Sequence, residues 1–163
     1  MIFKRIGSAA ILLLILAFPV SASMVSFLVV ETGLEGGNVG SQYSSLWEGG
    51  LMAAFFDAGH IVTNYPVIQM KNRPENDISG VIENEFNEAA SGGSDYFILG
   101  FLEYKNLGGV ITPVGMTLKL YSTSPKELLY EQIFPAGKGK SLNEEYQFAQ
   151  NAGFVLASNI KEW

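Results

Sequence analysis

The sequence contains no cysteine and only one histidine, His60, among its 163 residues. Without cysteine the chain can form no disulfide and cannot carry the lipid-modified cysteine that anchors a bacterial lipoprotein. A single histidine cannot build a multi-histidine metal site, and a histidine base needs a nucleophile beside it. We therefore expect no bound cofactor and no metal, and enzymatic activity is the less favoured of the possible functions.

Basic side chains are also few. The chain has 10 Lys and Arg against 16 Asp and Glu, for a net charge of −6. The basic residues are scattered, apart from the pair Lys138 and Lys140. Nucleic acid requires a basic face, and an anionic membrane surface attracts clustered lysine and arginine. The composition therefore excludes nucleic acid as a partner and disfavours a charged membrane surface.

The amino terminus has the pattern of a secretory signal peptide. Lys4 and Arg5 precede an apolar run from Ile6 to Val20, and small residues follow up to Ala22. The apolar run is shorter than the roughly 20 residues that a spanning helix needs. We predict cleavage of residues 1–22 between Ala22 and Ser23, with the mature protein in the periplasm or outside the cell and without an integral membrane span. A signal retained as an anchor is the alternative.

The remaining residues, 23–163, are predicted to form one α/β domain with the order β-α-β-α-β-β-β-α and a mixed sheet packed with helices. The first strand, Met24 to Glu31, is almost continuously apolar, as in strands that are covered on both faces. Ile61 to Met70 reads as a second strand, and the interruption at Tyr65-Pro66 predicts an edge or a bulge. Capping boxes are predicted to open helices at Ser45 and at Ser141.

In the second half, Thr112 to Ser122 is predicted to be a half-exposed strand that returns through a turn to Glu127–Phe134. Leu118 and Leu120 alternate with Lys119 and Tyr121, so the leucines are expected to be buried and the other two exposed. An exposed tyrosine near a sheet edge is a common protein-contact feature. We therefore predict a protein-contact surface at Lys119, Tyr121 and Tyr130. The alternative is a tyrosine that only covers the rim of the sheet.

A second, weaker candidate site consists of Glu31, Asp57 and His60. Glu31 ends the first strand and could pair with Glu103 as two catalytic carboxylates, whereas Asp57 and His60 lie at the end of the first helix. His60 is equally explained as a residue at a helix carboxyl end, where its charged form is favourable. The loop from Gly33 to Gly40 lacks any phosphate-binding signature and is read as a flexible connection.

Three segments resemble a small α/β domain found in bacterial envelope proteins. They are the buried first strand, the segment Ser94 to Gly100, and the hairpin formed by Met116–Tyr121 and Glu127–Tyr130. The domain is that of the TolB amino-terminal region, FlgO and CsgG. This resemblance implies an outer-membrane-associated or periplasmic module that binds other envelope proteins, and it brings no catalytic residues. The amphipathic hairpins of the curli pore are not apparent, so a pore is not implied.

Three functions therefore stand open. The first is a non-enzymatic binding or assembly module of the cell envelope, acting through protein contacts and with homo-oligomers possible. The second is a small envelope hydrolase that uses acidic residues near the first strand and first helix. The third is a self-assembling structural subunit.

Overall fold

A computed structural model describes residues 22–34 and 41–160. Residues 1–21 of the predicted signal peptide and residues 35–40 of the glycine-rich loop lie outside the described residues. Among the described residues, no helix has both the length and the apolar character needed to cross a membrane.

The strands and helices follow one another in the predicted order, with the second strand divided in two. The strands are β1 (Met24–Thr32), β2 (Ile61–Asn64), β3 (Ile68–Met70), β4 (Tyr96–Leu107), β5 (Val110–Ser122) and β6 (Glu127–Phe134). The helices are α1 (Ser41–Asp57), α2 (Val81–Ser91) and α3 (Leu142–Ala157). The predicted α/β class and mixed sheet are confirmed.

The strands form a single six-stranded sheet in the order β2-β1-β4-β5-β6, and β3 pairs with β1 beyond the end of β2. β1 is parallel to β2, β3 and β4, whereas β5 is antiparallel to both β4 and β6. Pro66 separates β2 from β3, and both strands pair only with β1, so this interrupted strand is an edge, as predicted.

Helices cover both faces of the sheet, which explains the continuous apolar run of β1. On one face α1 and α3 pack on alternate residues of the central strands, including Phe27, Ile98 and Leu118. On the other face α2 packs on the intervening residues, including Leu28, Phe97 and Tyr121. Because β1 lies between two neighbours and under both layers, nearly every one of its side chains is buried.

Two glycines let α1 and α3 approach closely. A Cβ on Gly50 would lie 2.7 Å from the Ala149 Cβ, and a Cβ on Gly153 would lie 2.6 Å from the Ala54 Cβ. Both distances are shorter than real carbon contacts, so larger residues at these positions would force the helices apart. The pair of helices therefore forms one rigid layer over the sheet.

The start of α1 differs from the sequence prediction. The helix begins at Ser41, so Ser45 and Glu48 lie inside it instead of forming its capping box. The second capping box is present: Ser141 precedes α3, and its Oγ accepts a hydrogen bond from the Glu144 backbone N–H at 3.2 Å. The carboxylate of Glu144 accepts in turn from the Lys140 N–H at 2.6 Å.

The β4–β5 hairpin projects beyond the rest of the sheet. β1 ends opposite Glu103, and β6 ends opposite Met116, yet the two hairpin strands continue to Leu107 and Val110. The turn consists of Gly108 and Gly109, with φ values of 65° and 92° that suit glycine in a tight hairpin turn. The projection was not predicted from the sequence.

Candidate functional site

The residues of the weaker candidate site do not come together. His60 precedes Ile61, which pairs with Met24 at the start of β1, whereas Glu31 lies at the other end of that strand. Seven residues of extended chain separate these ends by about 23 Å. Asp57 is exposed and accepts a hydrogen bond from Gln150 at 3.4 Å. The structure therefore divides this set between the two ends of the sheet.

Glu31 and Glu103 do not form a carboxylate pair either. Glu31 is paired across the strands with Leu102 and points into the layer of α1 and α3, where it is fully buried. Glu103 is on the opposite face, is exposed, and contacts Lys105 at 3.3 Å. Two carboxylates on opposite faces of one sheet cannot act on the same bond.

The surroundings of Glu31 explain its burial. Its carboxylate accepts hydrogen bonds from the Tyr104 hydroxyl at 3.1 Å and from the Gln69 amide at 2.9 Å. Burial and the nearby Glu31 carboxylate raise the pKa of Tyr104 well above its usual value, so this phenol remains a hydrogen-bond donor. The arrangement joins β3 and β4 to β1 from inside the molecule.

A small cavity of about 270 Å³ adjoins Tyr104 and is lined by Gly33, Lys71, Lys105 and Ile111, among others. Within residues 22–34 and 41–160, no three histidine, cysteine or acidic side chains gather closely enough to hold a metal ion. Beside this cavity the Glu31 carboxylate is directed to Tyr104 and Gln69.

The predicted exposure of Lys119 and Tyr121 is wrong. Lys119 is 7% exposed and Tyr121 is 8% exposed. Both point to the face covered by α2, where the Tyr121 ring packs against Phe86 with ring centres 6.3 Å apart. Tyr130 is partly buried on the opposite face, across from Leu120. The three residues therefore share no common surface, and the sequence-based contact surface has no geometric support.

Lys119 is buried because it is neutralised by two carboxylates. Its Nζ lies 2.5 Å from Asp77 and 3.0 Å from Glu131. Arg73 also contacts Asp77 at 2.9 Å, and its guanidinium stacks 4.4 Å from the centre of the Phe101 ring. These four charges attach the loop between β3 and α2 to the face of β5 and β6.

These ion pairs shift both central pKa values. Burial by itself raises the pKa of Asp77, but hydrogen bonds from Arg73 and Lys119 outweigh it and hold that pKa below the usual value. For Lys119, burial lowers the pKa, and the hydrogen bonds to Asp77 and Glu131 outweigh it and raise that pKa. Both groups therefore stay charged at neutral pH.

A second buried carboxylate, Glu145, was also missed by sequence reasoning. It is 1% exposed and accepts hydrogen bonds from the Trp47 indole at 2.9 Å and from the backbone N–H groups of Gly137 and Gly139 at 2.7 and 3.0 Å. The contact fixes the loop that leads from β6 to α3. The only signal in the sequence is the acidic pair at the start of α3, which is ordinary for a helix amino terminus.

The outer edge of β6 is the exposed apolar feature that sequence reasoning overlooked. No other strand of the described residues pairs along this edge. Along β6, Leu128, Leu129 and Ile133 are 42, 41 and 71% exposed. Phe148 and Val155, at 38 and 40%, lie by helical geometry on the flank of α3 that faces away from α1. We call these five residues, with the outer edge of β6, the edge surface.

The edge surface has side chains on both faces of the sheet: Leu128 and Ile133 are paired with Tyr121 and Thr117 on the α2 face, whereas Phe148 and Val155 belong to α3 on the other face. Asn159 lies on the same flank of the helix as Phe148 and Val155, and it lines a groove together with Leu128 and Leu129. An unpaired strand beside exposed aliphatic side chains can accept another chain by backbone pairing and apolar contact. The edge surface is therefore suited to protein association.

No family model matches the sequence, and no curated protein matches it at a significant level. Solved structures match it in fold. The PelC dodecamer from Paraburkholderia phytofirmans is 16% identical with a TM-score of 0.52, over 86% of this chain and 90% of that one. Protein XCC0632 from Xanthomonas campestris, of family DUF330, is 12% identical with a TM-score of 0.41, over 83% of this chain and 81% of that one.

TolB from Acinetobacter baumannii is 14% identical with a TM-score of 0.40, over 85% of this chain and 27% of TolB. The chain thus spans about a quarter of TolB. At these identities the likeness to PelC shows the fold alone, and the lower scores of TolB and XCC0632 carry no further argument. The chain is a small α/β domain with a mixed sheet of the kind seen in PelC, and its membership of the TolB group stays a prediction.

Proposed function

We propose that this protein is an exported cell-envelope protein that works by self-association through the edge surface, as an assembly module without a catalytic step. The observation that carries the proposal is the outer edge of β6, a strand of eight residues with a bulge at Leu129 and with exposed aliphatic side chains along it. Small monomeric proteins normally protect such edges, because an open strand accepts other chains.

The type of partner follows from two further observations. PelC, which has the same fold, forms dodecamers, and this supports copies of the same chain as the partner. The exposed aliphatic and aromatic side chains of the edge surface are of the kind found in the centres of homomeric interfaces, and the strand between them also carries Glu127 and Glu131. Contacts with other envelope proteins would then be made by the assembly.

A hydrolytic function receives less support from the geometry. The acidic and histidine side chains near β1 and α1 lie at opposite ends of the sheet, and Glu31 is engaged with Tyr104 and Gln69. A general acid or base must reach the proton that it transfers, together with a nucleophile or activated water. We therefore place the function in association.

Sedimentation velocity of the mature chain, residues 23–163, tests the proposal. Over a dilution series in the micromolar range we expect a mass that rises with concentration toward a defined oligomer. A single monomer mass at every concentration up to about 100 µM would contradict self-association, since stable homomeric interfaces have micromolar or tighter dissociation constants.

Export is tested separately by mass spectrometry of the protein from envelope fractions. We expect the mature chain to begin at Ser23, and Ala22→Leu to leave a longer precursor, because signal peptidase requires a small residue before the cleavage site. Recovery of an intact chain that begins at Met1 would indicate an anchored protein instead.

A further inference from the structure

The projecting tip of the β4–β5 hairpin has no role in the proposals above. Leu107 and Val110 are 57 and 64% exposed, and cross-strand pairing places them side by side on one face of the hairpin. No neighbouring strand of the described residues covers either side of the hairpin beyond Glu103 and Met116. Two adjacent aliphatic side chains at the end of a projecting hairpin form a compact apolar tip.

Basic side chains lie beside this tip. Lys105 is two residues from Leu107, and Lys71 lines the same small cavity as Lys105. Lys105 contacts Glu103 at 3.3 Å, but both side chains are more than half exposed, so the pair is weak and exchangeable. The hairpin end of the molecule therefore offers an apolar tip with a basic border.

The opposite end of the sheet has the complementary character. A groove of about 820 Å³ lies where β4 begins and β5 ends. Its lining includes Leu128, Leu129 and Pro125 as apolar residues and Asp95 and Glu127 as acidic ones. Ser122, Thr123 and Ser124 also line it; the Ser122 and Thr123 hydroxyls donate to the Pro125 and Ser94 carbonyls, and their oxygens can still accept a hydrogen bond from the backbone of an inserted turn.

The tip cannot reach the groove of its own chain. Along β4, Leu107 is eleven residues from Tyr96, which lines the groove, and this separates the two by about 37 Å. Contact between them therefore requires a second copy. Leu128 and Leu129 belong both to the groove and to the edge surface, so a tip in the groove would extend the association surface already described.

We propose that the tip of the β4–β5 hairpin of one copy binds in the groove at the opposite end of a second copy. The inference rests on the proposed self-association. It identifies the hairpin tip as the element of the second copy that binds to the groove beside the edge surface. The contact joins two different surfaces, so repetition gives a closed ring or an open filament, according to the angle between neighbours.

The absence of cysteine makes the contact directly testable by disulfide trapping. Leu107→Cys and Ser124→Cys are made in separate chains, both at exposed positions, mixed in equal amounts and oxidised. We expect the mixed Leu107–Ser124 dimer to exceed either homodimer by about 10-fold. The control mixes Leu107→Cys with Asn87→Cys, an exposed position on α2, and should give no excess of the mixed dimer.

A charge exchange tests the electrostatic part of the contact. Lys105→Glu in the Leu107→Cys chain should lower the yield of the mixed dimer at least 5-fold. Glu127→Lys in the Ser124→Cys chain should restore it, because the two charges are then exchanged between partners. Failure of the second change to restore trapping would mean that these residues do not face each other.

The outcomes separate the two proposals. If the mixed dimer and the two homodimers form in the statistical ratio while the wild-type chain still self-associates, the hairpin contact is wrong and association through the edge surface is retained. A monomeric wild-type chain would overturn both. If a fluorophore on Leu107→Cys instead responds to vesicles containing anionic lipid, and not to the second copy, the tip contacts membrane and the inference is wrong.

Discussion

The two edges of the sheet differ in what they offer to another chain. One edge is divided into strands of four and three residues, β2 and β3, with Pro66 between them. The other edge, β6, is one strand of eight residues with a bulge at Leu129. A short strand interrupted by proline offers few consecutive backbone groups to another chain, whereas β6 offers a longer row, from Tyr130 to Phe134, on one side of its bulge.

Each edge is also joined to its neighbouring strand by a polar contact with one buried partner. β3 is joined to β1 through Gln69 and Glu31, and β6 is joined to β5 through Glu131 and Lys119. Both contacts hold an edge strand in place. β6 carries three exposed large aliphatic side chains, Leu128, Leu129 and Ile133, whereas the other edge carries one, Ile61. The contacts that hold an edge strand in place are therefore separate from the features that leave the strand open to another chain.

The largest expected effect comes from placing a charge on the available edge. Ile133→Lys should weaken self-association about 100-fold, because a lysine in an apolar contact must lose its water without a partner. Ile61→Lys is the matched control. Ile61 is 56% exposed and lies on the other edge, formed by β2 and β3, so this change should leave association unchanged. Sedimentation equilibrium of the two variants measures the difference.

Both variants should keep the thermal stability of the wild type to within about 0.5 kcal/mol, since each isoleucine is mostly exposed. Equal losses of association in the two variants would remove the distinction between the edges.

The next effect concerns Glu31, whose hydrogen bond with Gln69 holds β3 at the edge formed by β2 and β3. Glu31→Ala leaves the buried Tyr104 hydroxyl without its acceptor and should lower the free energy of unfolding by about 1–3 kcal/mol. Glu103→Ala, on the exposed face of β4, should cost less than about 0.5 kcal/mol. Chemical denaturation of both variants checks the prediction, and similar costs would show that burial of Glu31 has no structural importance.

The smallest effect concerns the ion pairs near β6 and appears as a pH dependence. The pKa of Asp77 is lower in the folded than in the unfolded chain, so its stabilisation is present above the unfolded value and is lost as the pH falls through the folded one. Asp77→Asn should cost about 1–2 kcal/mol at pH 7. Below about pH 4 its stability should converge with that of the wild type.

Glu75→Gln, an exposed carboxylate in the same loop, is the control and should follow the wild-type acid titration. An Asp77→Asn variant that loses stability on acidification as steeply as the wild type would show that another carboxylate is responsible.

Much of this architecture could be predicted from the sequence because it depends on local pattern. The apolar run of β1 predicted a strand covered on both faces, and the alternation in β5 predicted that Leu118 and Leu120 are buried, as the structure confirms. The interruption at Tyr65-Pro66 predicted an edge or a bulge, and the structure shows an edge. These features follow from properties of neighbouring residues along the chain.

The site could not be predicted in the same way. The alternation placed Lys119 on the side opposite to the leucines, which is correct, but that side is covered by α2 and by the loop carrying Asp77, far away in the sequence. The sequence of one strand does not show whether its polar face will be covered by a helix or loop from elsewhere in the chain. The projection of the hairpin and the open edge of β6 depend in turn on where neighbouring strands end.

Hydrogen–deuterium exchange at low and high protein concentration tests most directly whether β6 is the edge that associates. The account predicts that amides of β6 exchange at least 10-fold more slowly in the assembled protein than in the diluted one, while amides of β2 exchange at the same rate in both. An exchange rate for β6 that is independent of concentration, or protection that appears at β2 instead, would contradict the account.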